Sequence, residues 1–185
     1  MNYEISGEDA AMKSQDILVV LKILSKQIIS QKWSQRELAS ELGISIGEVN
    51  ASLKRSQKSG FLDSELQPVK YAIKEFLLHG FKYCFPAEMG QPTRGIKTAH
   101  AAPFVADNFV SQELPPVWPS PEGEDRGFEF KPLYKSVPFA VKTDPQLYRF
   151  LALLDILRSG RKREVNMAKD WLVGEIYQSS ELKSA

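Results

Sequence analysis

The first regular pattern along the chain begins at Asp16. Ile17, Val20, Leu21, Leu24 and Ile28 recur at intervals of three and four, which puts them on one stripe of a core-facing helix starting after Ser14 or Asp16. Residues 1–13 before it are polar, lack periodicity and contain Gly7, so they read as a flexible arm. A second helix is expected after Trp33, and a third after a turn at Gly43, ended by Gly60 as glycine often ends helices. Val69, Ile73, Phe76 and Leu77 predict a fourth helix, opened by Pro68 and stopped by Gly80. Asp63 to Gln67 is too short to supply a β-hairpin between the third and fourth helices, so no standard wing is expected.

The pattern changes between Pro86 and Pro145. Pro103, Pro115, Pro116, Pro119, Pro121, Pro132 and Pro138 break any helix, and the stretch reads as extended or looped. It is too aromatic for a solvated linker: Phe104, Phe109, Trp118, Phe128, Phe130, Tyr134 and Phe139 need a surface to pack on. Alternation over Phe128, Glu129, Phe130 and Lys131 allows a short strand, with Pro132 ending it or keeping it at an edge. Helical spacing returns in Leu147, Phe150, Leu151, Leu154 and Leu157, then after Gly160 in Val165, Ala168, Leu172 and Ile176, predicting a closing helical pair. There is no internal repeat and no low-complexity tract, which excludes solenoid and fibrous readings.

The most informative string runs from Ser34 to Arg55. Ser34 with Glu37, and Ser45 with Glu48, have the spacing of two capping boxes, in which a hydroxyl accepts from an early backbone N–H and a carboxylate reaches back. Helix starts eleven residues apart leave room for one short helix and a tight turn. Leu38, Leu42, Ile44, Val49 and Leu53 supply the apolar contacts, Ala39 is small where two helices would cross, and Gly43 suits a positive φ. This motif resembles the helix-turn-helix of bacterial transcriptional regulators, MarR-like or winged-helix-like at superfamily level, with Ala39, Gly43, Ile44, Val49 and Leu53 at the matching positions. The loop from Phe85 to Pro103 is similar to that of an uncharacterised regulator-like group, some of it in toxin–antitoxin neighbourhoods, and implies no activity.

The expected fold is therefore mostly α. A helix-turn-helix domain of three or four helices spans 14–80, a Pro- and aromatic-rich segment at 81–145 packs back on it, and C-terminal helices occupy 146–185. If the third helix enters a major groove, Ser45, Gly47, Asn50, Ala51 and Lys54 face base edges. Asn50 has the groups to pair with adenine, Lys54 reaches guanine or phosphate, Gly47 permits close approach, and Ala51 can touch a thymine methyl. Ser34, Gln35, Arg36, Arg55 and Lys58 are placed for phosphates, which give affinity and salt dependence rather than sequence choice. The plainer alternative is a solvated polar face on an ordinary helical core.

Composition adds constraints. The chain has 185 residues, 43% of them hydrophobic, enough for a real core, and its net charge of +1 gives no global pull toward nucleic acid. Cys84 is the single cysteine, and with no signal or membrane-length apolar run a cytoplasmic location is expected. It reads as a buried, inert thiol. Arg94 and His100, near glycines and Glu88, Thr93, Lys97 and Thr98, form a candidate anion or effector site, or an enzyme site with Glu88 or His100 as base; a loop held by local hydrogen bonds is the plainer reading. The run Arg158, Arg161, Lys162 and Arg163 reads as a solvated cluster rather than a second DNA contact. Neither His79 nor any other residue has metal-ligand spacing, and no cofactor or catalysis is expected. The expected partners are double-stranded DNA and a second copy in a homodimer, with no membrane. The alternative is a protein-interaction module, antitoxin-like, that wraps a partner with its Pro-rich arm.

Overall fold

The computed structural model describes residues 11–109 and 114–178; most of the expected flexible arm, residues 1–10, lies outside the described residues. Among the described residues the chain is mostly α, with eight α-helices and three strands. In order these are α1 (Ser14–Ile28), α2 (Gln35–Leu42), α3 (Ile46–Lys58), α4 (Lys70–His79), α5 (Phe81–Cys84), β1 (Met89–Lys97), β2 (Pro116–Pro119), β3 (Asp125–Phe130), α6 (Val137–Ala140), α7 (Pro145–Ser159) and α8 (Lys162–Tyr177). No helix among them is long and apolar enough to cross a membrane.

One stripe of α1 was expected to face the core, yet thirteen of its fifteen residues are buried, so it is a central helix packed on every side. Its polar residues are buried because each has a long-range partner. Asp16 holds Arg55 of α3, while Lys22 and Ser25 bind Asp144 at 2.7 and 2.8 Å. Lys22 and Lys26 also share Glu41 of α2, at 2.7 and 2.8 Å. Charge buried without such pairing would be expelled or neutralised. Asp144 caps α7 as well, accepting from the Leu147 N–H at 2.8 Å, so one carboxylate fixes both the start of α7 and its seat on α1.

Between α3 and α4 the chain closes a tight turn on one isolated antiparallel bridge, less than the strand pair of a standard wing. Leu62 bridges Pro68, Asp63 N–H donates to the Gln67 carbonyl at 3.0 Å, and Val69 N–H to the Phe61 carbonyl at 2.9 Å. Five residues suffice because the Asp63 carboxylate accepts from the Glu65 and Gln67 amides at 2.8 and 2.9 Å, while Leu66 takes a left-handed φ of 62°.

The Pro-rich segment carries a sheet rather than one short strand. β1 runs antiparallel to β2 and β3, which pair with each other in parallel, so the three strands close on themselves. Closure demands glycine: a Cβ on Gly95 would lie 2.1 Å from the Trp118 carbonyl oxygen, and one on Gly127 would lie 1.9 Å from that of Pro115. The sheet is pinned to α7 by buried Asp155, which accepts from Thr98 Oγ1 and Trp118 Nε1, both at 2.7 Å, and from Arg158 Nη2 at 2.5 Å. Arg158 is thus not part of a solvated run; its guanidinium lies 5.0 Å from the centre of the Phe130 ring. Arg161, Lys162 and Arg163 are exposed, and so is Cys84, which was expected to be buried. Trp118 and Phe130 are in the core, whereas Phe128 and Phe139 remain exposed. Among the described residues a contiguous core runs from Ile17 on α1 to Ile176 on α8 and includes Trp118, with Phe130 buried beside it in the sheet.

Candidate nucleic-acid interface

Both capping boxes of the α2–α3 pair are formed. Ser34 Oγ accepts from Glu37 N–H at 3.2 Å while the Ser34 N–H donates to Glu37 Oε2 at 2.7 Å, and Ser45 with Glu48 repeats the exchange at 3.1 and 2.8 Å. Between them Gly43 ends α2 at φ 64°, in the left-handed region. The first turn of α3 is therefore held by its own sequence. Hydrogen bonds from the Ser45 backbone and hydroxyl keep the Glu48 carboxyl below its ordinary pKa.

The helical period sorts α3 into two faces. Val49, Ser52, Leu53, Arg55 and Ser56 are buried. Ser45, Ile46, Gly47, Asn50, Lys54 and Lys58 are exposed and Ala51 is half-buried, so the five expected base-reading positions share one face, with Ala51 recessed. Two residues belong to this face that spacing alone did not single out. Ile46 is 47% exposed at the first position of α3, one turn before Asn50. The side-chain amide of Asn50 donates to Gln35 Oε1 at 3.4 Å, so a residue expected at phosphate also touches this face. An apolar residue directly after a helix cap was the available signal for Ile46.

The expected phosphate set divides. Ser34 and Arg36 on the α2 side and Lys58 on α3 are exposed, and Gln35 is half-buried. Arg55 is a correction: it is 9% exposed and holds Asp16 with Nε at 2.8 Å and Nη2 at 2.7 Å, a two-bond fork directed into the core. The tip of the bridged turn between α3 and α4 is acidic, with Asp63 and Glu65 both exposed, so it repels a phosphate backbone rather than gripping it.

The segment after β3 reaches this region. Tyr134 hydroxyl donates to Glu48 Oε1 at 3.4 Å, and burial, then the Glu48 charge, raise its pKa. The Phe139 ring lies over the turn, so close that a Cβ on Gly43 would meet it at 3.0 Å. Both rings were expected to pack somewhere; their place against α3 and its turn was not legible.

Arg94 and His100 stand on different elements. β1 carries Arg94 to the exposed position opposite Arg126 of β3, whereas His100 lies beyond the strand on a single 3-10 turn, edge-on to Phe109 at 6.4 Å. Glu88 pairs with Lys131 at 2.8 Å. No protein family, curated protein or solved structure matches the chain.

Proposed function

We propose that this chain is a sequence-specific DNA-binding transcriptional regulator that inserts α3 into the major groove of double-stranded DNA as the second helix of a helix-turn-helix, working as a homodimer. The observation that carries the reading is the exposed stripe of Ile46, Gly47, Asn50 and Lys54 on a helix whose N-terminus is fixed by its own capping box. N-terminal residues of such a helix are those that reach base edges. Asn50 offers a donor and an acceptor to adenine, Lys54 a cation, and Gly47 room for close approach. Ile46 adds an apolar surface suited to a thymine methyl, with Arg36 and Lys58 as the phosphate grips.

Selection of bound duplexes from a random pool, followed by replacement of each thymine with uracil in the selected site, tests this. One or two positions should lose several-fold affinity when the methyl is removed, and Ile46→Ala should abolish that sensitivity. Failure to enrich any sequence would end the reading. Sedimentation of the free protein should give twice the chain mass, since paired half-sites give small modules useful specificity.

A second reading is favoured by the exposed tyrosines Tyr71 and Tyr83, residues of the type that anchors protein interfaces: a protein-interaction module. Its wrapping arm would have to be some part other than the Pro-rich segment around Trp118 and Phe130, whose rings are in the chain's own core.

A further inference from the structure

On the β1–β3 ladder Arg94 stands directly opposite Arg126, and one row along Pro92 stands opposite Phe128. All four are exposed, while the alternate residues Gly95 and Gly127 are buried, so the two rows share the outer face. Like charges directly opposite each other on adjacent strands are destabilising. Among the described residues neither arginine has a carboxylate partner. Asp125 is engaged by Lys97 at 2.8 Å, Glu129 lies over Gly90, and Glu124, two residues from Arg126, is exposed and pairs with neither arginine among the described residues. Two arginines, each with a fork shaped for a phosphate or a carboxylate, thus stand on one rung of the ladder. The monoester of a free nucleotide carries up to two charges and offsets both better than a single carboxylate does, while a strand's phosphodiester, with one charge, offers each fork one non-bridging oxygen. Rows on one strand face are about 7 Å apart, from a rise of roughly 3.4 Å per residue, so an aromatic surface lies one nucleotide step from the cations.

We propose that this face binds a nucleotide unit with an unpaired base, its phosphate on the Arg94–Arg126 pair and its base against Phe128 and Pro92. Duplex DNA keeps its bases stacked inside and cannot reach the ring, so this site is separate from, and independent of, the α3 reading. Sequence-tolerant stacking beside a cationic strip is how single strands are held.

Anisotropy of a short fluorescein-labelled oligothymidylate tests the site, with AMP as competitor. Replacing both arginines (Arg94→Gln with Arg126→Gln) should weaken binding roughly tenfold or more and flatten the log–log salt slope by about 0.7 per lost phosphate contact. Phe128→Ala should weaken it roughly tenfold with the slope unchanged. Asn50→Ala should leave it untouched, which separates this site from α3. Each single arginine variant should melt at or above the parent temperature, because like-charge repulsion is relieved. Displacement by AMP identifies a free nucleotide as sufficient, and strand binding that resists AMP identifies a single strand as the ligand. Absence of oligothymidylate binding, an Arg94→Gln/Arg126→Gln protein that binds like the parent, or a blunt duplex that competes as well as the single strand overturns the proposal.

Discussion

Arg55 and Lys58 are three positions apart on the same helix, yet their side chains do different work. Asp16 is fully buried and its charge is met by the Arg55 fork, so Arg55→Ala leaves a buried carboxylate without its counter-charge, held by the Lys13 backbone N–H at 2.8 Å. The expected cost is about 3–5 kcal/mol, read as a fall in the denaturant midpoint, whereas Lys58→Ala should change stability by less than about 0.5 kcal/mol. Equal stability of the two variants would show that the Asp16 pair is not needed for folding. For the proposed DNA contact the expected difference lies between reading and gripping. Asn50→Ala should cost about 1–3 kcal/mol at the selected site and little on random duplex. Lys58→Ala should weaken both alike and reduce the salt slope by about one. A folded Asn50→Ala that binds its site as tightly as the parent would remove α3 as the reader and favour the protein-interaction module. Sequence put both cations on the same footing because charge and spacing are local, while the partner of Arg55 lies thirty-nine residues away.

Elements specified within a turn or two of their own sequence were legible. The capping boxes at Ser34 and Ser45 and the left-handed Gly43 need only residues a few positions apart, and the periods of α1, α4, α7 and α8 follow from apolar spacing. β1 was missed because nothing in Met89–Lys97 alternates: its register with β3 is shifted between Met89 and Pro92, and its closure rests on glycines meeting carbonyls far along the chain. The bridged turn between α3 and α4 was not legible, because the closing role of the Asp63 side chain does not show in spacing. Gly43 tests the local argument with a tertiary addition. At φ 64° a β-branched residue is strained, and its Cβ would also stand 3.0 Å from the Phe139 ring. Gly43→Val should therefore cost about 1–3 kcal/mol or more, lowering the melting temperature by several degrees. Removing the ring as well, with Phe139→Ala, should recover only the steric part. An unchanged melting temperature in Gly43→Val would mean that the turn does not constrain the fold.

At the scale of the whole molecule, α1, α2 and α7 meet in one ionic cluster, and its charges decide how the fold responds to acid. Burial works to raise the pKa of Glu41, but hydrogen bonds and charge from Lys22 and Lys26 outweigh it and hold the carboxyl below its ordinary 4.5. Because the folded value is the lower one, the unfolded chain binds more protons, and stability rises with pH through this window. The contribution is present in full above the unfolded value and is lost as pH falls through the folded one. Asp155 has the opposite sign. Burial raises its pKa above the ordinary 3.8 despite Arg158, Thr98 and Trp118, so its folded form takes up a proton first and gains relative stability as pH falls. Total acid stability therefore mixes two opposed effects, and a difference between proteins is needed to separate them. Glu41→Gln removes one carboxylate and leaves Asp155 in place. At neutral pH this variant should melt below the parent, since two buried ammonium groups lose a shared counter-charge. As the pH is lowered from 6 toward 3 the gap should close, because the parent's own Glu41 becomes protonated while the variant has nothing there to titrate. A gap that stayed constant across that range would show that Glu41 titrates alike in the folded and unfolded chain, and that the tie between α1 and α2 is packing rather than charge.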